Sequence, residues 1–218
     1  AMEAGVLEEY MDDFAYLSAA IAERYPDVKY FQVWNEFKGY WSSEKNEWDY
    51  ELYTKLYNVV YKAVKEVRPD ALVGGFYMVI EGDASRELLG TYGTHDYTPL
   101  DSFQRRAIRY WLSNSAGADF ICLDMGLLDH HNELEPTAEQ TMVLTQNYAN
   151  VIGGVVELTD LPIVMSEYYG SKIMVEGSNR VVDKVVDAAQ YAGMIKHMLI
   201  ASEGRDIAPL IWLEKEND

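Results

Sequence analysis

Three observations on this 218-residue sequence predict an α/β fold of parallel βαβ units. Short apolar runs alternate with amphipathic helical stretches along the chain. The residues that close the runs, Glu36, Tyr77, Asp124, Glu167 and Leu213, recur every 41 to 47 residues, a spacing that fits right-handed crossovers. No linker, low-complexity tract or short repeat interrupts the pattern, so residues 1–218 read as a single domain.

From Val6 to Arg24, the residues Leu7, Tyr10, Met11, Phe14, Leu17 and Ile21 keep helical spacing opposite Glu8, Glu9, Asp12 and Asp13. This is an amphipathic helix, ended by Pro26-Asp27. Val28, Tyr30, Phe31, Val33 and Trp34 then have the β-branched and aromatic character of a strand covered on both faces, which runs directly into Asn35-Glu36. A loop with Trp41 and Trp48 leads to a second helix, about Asp49 to Val67, whose buried face is Leu52, Tyr53, Leu56, Val60, Val64 and Val67. Ala71 to Tyr77 is the next strand, and its Gly74-Gly75 pair signals a bulge or a close backbone approach.

A long polar loop separates that strand from a helix opened by Asp101 or Ser102 and running through Ser113. Asp119 to Asp124 is the third strand, and the loop behind it carries His130 and His131. Thr137-Ala138-Glu139-Gln140 has the form of a capping box for a helix through about Val156. Pro162 to Glu167 is the fourth strand and ends, like the first, in a glutamate. Val181 to Ser202 is the last helix, with Gly204 as its C′ residue, and Ala208 to Leu213, which contains Trp212, is the fifth strand.

Lys and Arg number 18 against 36 Asp and Glu, a formal charge of −18. That balance argues against nucleic acid and anionic membrane surfaces as partners, since both call for a basic patch. No apolar run of ~18 residues that could span a membrane is present. The lone Cys122 rules out an internal disulfide and is expected to pack as a small hydrophobe. The 17 Tyr and 5 Trp suit a carbohydrate or other ring-shaped ligand, and equally suit a core.

Five strands cannot close a (β/α)8 barrel. The chain is therefore either an open doubly wound sheet or the C-terminal five-eighths of a barrel. No glycine-rich phosphate loop follows any strand, which weakens a nucleotide-binding doubly wound reading. In a barrel, chemistry is built at the carboxyl ends of the strands, where Glu36 and Glu167 fall.

Trp34-Asn35-Glu36 and Ser166-Glu167-Tyr168, 131 residues apart from Glu36 to Glu167, resemble the motifs of the retaining (β/α)8 glycoside hydrolases of clan A. With Ala118-Asp119-Phe120-Ile121 between them, the chain is most similar to glycoside hydrolase family 39, the β-xylosidase and α-iduronidase family. The resemblance implies a TIM barrel covered here from about helix 3 to strand 8, with strands 1–3 absent. It implies cleavage of an oligo- or polysaccharide by double displacement, with Glu36 as acid/base and Glu167 as nucleophile. A retaining pair stands about 5–5.5 Å apart across the scissile bond. By the same resemblance Asn35 donates to the sugar 2-hydroxyl and Trp212 is an aromatic platform, although a strand Trp is equally a core residue. Trp41, Tyr168 and Asp124 complete the candidate substrate-binding set.

Two departures stand out. Phe37 follows Asn-Glu where the family has Pro, and Asp124 ends a strand where the family has histidine. His130 and His131 are the candidates to stand in for that histidine. As a metal pair they lack a third ligand at helical spacing, and a solvent-facing loop is the favoured reading. No metal or organic cofactor is implied. The runner-up is a catalytically inactive barrel serving as a glycan-binding or structural module. The expected partners are a carbohydrate substrate and the missing N-terminal part of the barrel, as covalent neighbour or separate chain. A polysaccharide substrate favours an extracellular location.

Overall fold

The computed structural model describes residues 5–37, 39–81, 100, 102–126, 137–168 and 184–211. A 3-10 turn at Glu8–Tyr10 leads into α1 (Met11–Arg24) and β1 (Tyr30–Gln32). A small hairpin follows, β2 (Trp41–Ser42) with β3 (Glu47–Trp48), and then α2 (Tyr50–Val67) and β4 (Leu72–Glu81). The second half contains α3 (Ser102–Asn114), β5 (Phe120–Gly126), α4 (Ala138–Leu144), α5 (Gln146–Val156), β6 (Ile163–Tyr168), α6 (Lys184–Ala201) and β7 (Ile207–Ile211). No described helix is long and apolar enough to cross a membrane.

The five long-range strands form one all-parallel sheet in the order β1-β4-β5-β6-β7. In a flat sheet β1 and β6 would stand three strand spacings apart, about 14 Å. Yet the Ser166 hydroxyl on β6 donates to Gln32 Oε1 on β1. The sheet is curled into a half-barrel, and these side chains meet across its concave face.

Strand alternation separates two cores. Val73, Ile121, Leu123, Ile163 and Met165 face the helices and join Leu56, Val60, Ile108 and Trp111 in the main core. Tyr77, Phe120 and Cys122 point inward with Leu72 and Val164 packed on them. Gly74 and Gly75 fit both expectations raised by the sequence. A Cβ on Gly74 would fall 2.4 Å from the Phe120 ring, and one on Gly75 would fall 2.5 Å from the Tyr53 hydroxyl. The β4–β5 register also shifts between Gly75 and Met78.

Local signals hold at the helix ends. Asp49 Oδ1 caps α2 by accepting from the Leu52 N–H at 2.9 Å, and Thr137 and Gln140 form the reciprocal capping box. That helix breaks at Thr145, however, rather than running unbroken to Val156. The Thr145 hydroxyl donates to the Met142 carbonyl at 2.8 Å and meets His197 Nδ1 of α6 at 3.0 Å. Its only proton is committed to Met142, so the ring is assigned as the Nδ1–H tautomer. Gly193 allows the approach of α6, since a Cβ there would lie 2.2 Å from Thr145 Oγ1.

Three other expectations are corrected. β1 is not covered on both faces, because it is the edge of the described sheet: Tyr30 is 60% exposed and Val28 43%. α1 buries Met11, Ala15, Ala19 and Ala22, whereas Leu7, Tyr10, Leu17 and Ile21 are exposed. Small side chains let α1 approach α2, while Leu17 and Ile21 stay on its exposed side. Val67, at the end of α2, is likewise exposed.

His197 is buried, and burial, helped by the Lys196 charge, lowers its pKa from the ordinary 6.5. The unfolded chain therefore takes up its proton first as pH falls. The stability tied to neutral His197 is complete above about pH 6.5 and is lost as pH falls through the folded value. Thermal unfolding should show a smaller drop in midpoint between about pH 7.5 and 5.5 for His197→Gln than for the native chain. An equal drop would mean that other groups carry the acid sensitivity.

Candidate active site

The last ladder bond of β1 runs from the Val33 N–H to the Gly74 carbonyl at 3.0 Å. Beyond it Trp34, Glu36 and Phe37 all have positive φ, at 71°, 50° and 57°. Non-glycine residues in this region cost on the order of 1 kcal/mol or more each, and persist only where packing over-determines them. Here the packing is aromatic. Trp34 meets Phe14 and Tyr40 edge-on at 5.6 and 5.9 Å, and Phe37 is buried against Tyr40, Tyr53 and Phe76. Proline, whose φ is fixed near −65°, cannot take the conformation of Phe37. The departure from the expected Asn-Glu-Pro thus has a local reason.

Two bulges aim the opposing side chains. Val73 and Gly75 face the helices, so simple alternation would turn Tyr77 outward too. The extra residue on β4, with Phe76 at φ 58°, turns Tyr77 inward. On β6 the pairing passes from Leu123↔Met165 to Asp124↔Glu167, which skips Ser166. Ser166 and Glu167 consequently both face the concave side, and Tyr168 faces out. The Tyr168 hydroxyl donates to the Met194 carbonyl at 2.8 Å, and its ring lies edge-on to Tyr148 at 4.7 Å. Tyr168, expected at the substrate, belongs to the helix layer.

The curl and the bulges bring Glu36, Asp124 and Glu167 together, with one carboxylate oxygen of each within 4.8 Å of those of the other two. Glu36 and Glu167 are half-buried, and Asp124 is 2% exposed. The Tyr77 hydroxyl donates to Glu167 Oε1 at 2.7 Å. Burial pushes the Tyr77 hydroxyl well above its ordinary range. The Glu167 bond and the charges of Asp124, Glu167 and Glu36 add to this, so it remains a neutral donor. Beneath the cluster, burial raises the Cys122 thiol to about 12, which keeps it unreactive. An all-carboxylate set has the oxygen donors that hard cations take, and it also has the paired carboxyls of acid–base chemistry.

Asn35 is exposed beside Glu36. Trp41 is half exposed and packs edge-on against Trp48 at 5.4 Å in the β2–β3 hairpin, where the sequence predicts a loop. Trp212, His130 and His131 lie outside the described residues. Tyr77 was not among the candidates, yet it belongs to the strand-end series whose other members Glu36, Asp124 and Glu167 converge here.

The fold and site define part of a (β/α)8 barrel with an acidic cluster at the carboxyl ends of its strands. No protein-family model and no curated protein matches the sequence. Solved structures do match. The chain superposes on a monomeric β-xylosidase from Caulobacter crescentus CB15 with TM-score 0.54 at 20% identity, over 94% of this chain and 37% of that one. For the AHE enzyme from Alicyclobacillus herbarius the TM-score is 0.55 at 12% identity, over 94% and 58%. For a psychrophilic glycoside hydrolase family 10 endo-β-1,4-xylanase it is 0.50 at 14%, over 96% and 60%. The likeness is one of fold, and the chain spans 37% to 60% of these solved chains.

The Tyr53 hydroxyl ties the two strained segments together. It accepts from the Phe76 N–H at 2.9 Å and donates to the Val33 carbonyl at 2.9 Å. Tyr53→Phe leaves both backbone groups buried and unsatisfied, at a cost of about 1–3 kcal/mol. Denaturant unfolding should show a lower midpoint with an unchanged slope. An unchanged midpoint would mean that these backbone groups find other partners.

Proposed function

We propose that the chain is the C-terminal portion of a retaining glycoside hydrolase, of the kind found in family 39, that cleaves an oligo- or polysaccharide by double displacement. One observation carries the reading: carboxylate oxygens of Glu36 and Glu167 within 4.8 Å on a single concave face. That separation suits a retaining pair, at about 5–5.5 Å, and is short of the roughly 6.5–9.5 Å that leaves room for the water of an inverting enzyme.

In this mechanism Glu36 protonates the glycosidic oxygen while Glu167 attacks the anomeric carbon and forms a glycosyl-enzyme. The leaving group departs with the proton. Glu36 then takes a proton from water as that water displaces Glu167, and the anomeric configuration is restored. Tyr77 fixes one oxygen of Glu167 and leaves the other to attack. The remaining walls of the site come from the part of the barrel that this chain lacks, so activity requires that part.

The buried Asp124 favours a second reading, an inactive barrel that binds glycans, because a third carboxylate crowds the pair. Turnover separates the two. With the upstream part present, an aryl β-xyloside or β-glucoside should be hydrolysed with retention, followed by NMR of the first-formed anomer. Glu36→Gln and Glu167→Gln should each lower kcat by about 100- to 10,000-fold. Inversion would refute double displacement, and binding without turnover would establish the second reading.

Tyr77→Phe removes one hydrogen bond to a carboxylate, worth about 1.5–3 kcal/mol. If that bond orients the nucleophile, kcat should fall roughly 10- to 100-fold with KM little changed. A change confined to KM would place Tyr77 in substrate binding instead.

A further inference from the structure

Gln32 closes β1 and shares a face of that strand with Tyr30, whose ring meets the inward-pointing Phe120 edge-on at 5.6 Å. Its side chain therefore enters the concave face two residues before the strained turn begins. There it spans the half-barrel. Its Nε2 donates to the Trp34 carbonyl at 3.1 Å, and its Oε1 accepts from the Ser166 hydroxyl. Chemistry dictates this orientation of the amide. A carbonyl only accepts, so the end facing Trp34 is the NH2 and the end facing Ser166 is the oxygen. Ser166 thus commits its one proton to Gln32, and the neutral Cys122 thiol is the donor in its own bond to Ser166.

These bonds join the two segments from which the glutamates project. Ser166 directly precedes Glu167, and the Trp34 carbonyl belongs to the peptide that leads into Asn35 and Glu36. The two ends differ in what else holds them. β6 is laddered to β5 and β7 around Glu167, and Tyr77 binds the Glu167 carboxylate. The Glu36 turn lies past the last ladder bond of β1, with Trp34 and Glu36 at positive φ. Its aromatic contacts fix the rings of Trp34 and Phe37, but a fixed ring does not fix a peptide plane. Strained backbone of this kind persists only where its surroundings over-determine it. The Gln32 bond opposes rotation of the peptide that lies between the strained residues.

We propose that Gln32 is a positioning residue for Glu36: its amide, braced by Ser166 across the concave face, holds the Trp34–Asn35 peptide and with it the carboxyl that protonates the leaving oxygen. The proposal rests on the glycosidase reading of the site, and it assigns Gln32 to the acid/base glutamate and not to the nucleophile.

Two aryl glycosides of one sugar separate the glutamates. Dinitrophenolate leaves without a proton, phenol needs one from Glu36, and attack by Glu167 is common to both. In each case kcat/KM reports this first displacement. Gln32→Met keeps the bulk of the side chain and removes the amide. Assayed as for the native protein, it should lower kcat/KM about 10- to 100-fold on the phenyl glycoside and less than about twofold on the 2,4-dinitrophenyl glycoside. Ser166→Ala unbraces the amide and should give a smaller split of the same kind, while Ser166→Thr keeps the hydroxyl and should behave as the native protein. This pair carries the test if Gln32→Met does not fold. An equal fall on both substrates makes Gln32 a support of Glu167 or of the fold, and no fall on either makes it dispensable; each overturns the proposal. If the native protein hydrolyses neither glycoside, or Glu36→Gln shows no split, the glycosidase reading fails and takes this proposal with it. A split for Glu36→Gln without one for Gln32→Met refutes the role of Gln32 alone.

Discussion

One buried hydroxyl holds the site together. Tyr53 Oη lies between β1 and β4, where both backbones depart from regular geometry, and makes one hydrogen bond to each. A bulge leaves a backbone N–H without a ladder partner, and such a group inside a core must find another. Phe76 N–H finds Tyr53, and the same hydroxyl proton goes to Val33, the residue from which the Glu36 turn departs. Burial holds the Tyr53 pKa well above its ordinary value, so its proton is retained. The positions of Glu36 and Tyr77 are coupled through this single group.

The bulges answer a constraint imposed by the sheet. A strand with helices packed outside alternates inward and outward, so it offers the concave face every second residue. β6 offers two in succession, Ser166 to Gln32 and Glu167 to Tyr77. β4 resets its alternation so that Tyr77 points inward while Phe76 stays with Phe37, Tyr53 and Trp111. An extra residue in each strand is the least costly way to do this. On β6 it shifts the register against both β5 and β7, and the pairing resumes beyond the kink.

Much of the architecture was legible in the sequence because it follows from local chemistry. Apolar runs of strand length separated by helical periodicity can bury their faces only as βαβ units, and the Thr137–Gln140 box and the Asp49 cap depend on neighbours three residues apart. The Gly74-Gly75 pair announced the bulge, since only a residue without a Cβ can sit under Phe120 or the Tyr53 hydroxyl. The strand-end series pointed to where Glu36, Asp124 and Glu167 converge. Orientation was not legible. Tyr168 follows Glu167 directly and looks like a site residue, but the skip at Ser166 sends it to Met194. Tyr77 looks like core, and it is the bulge that makes it a hydrogen-bond donor to a carboxylate. The buried face of α1 was not legible either, because Leu and Ile at helical spacing point to one face while the helix packs through Met11, Ala15, Ala19 and Ala22.

The geometry of the carboxylate pair is nevertheless set within these 218 residues. The strained turn at Glu36 sits at the open edge of the sheet, where a missing neighbour should matter most. Its support, however, comes from behind and beside it: Phe14 of α1, Tyr40 of the following loop, and Phe37 locked between Tyr53 and Phe76. Glu167 is held from the other direction by Tyr77, two strands away on β4. No contact in this chain of support passes through the uncovered side of β1. The edges therefore limit what walls and stability the chain has on its own, while the separation of the two glutamates is fixed by aromatic packing and bulges that it already contains.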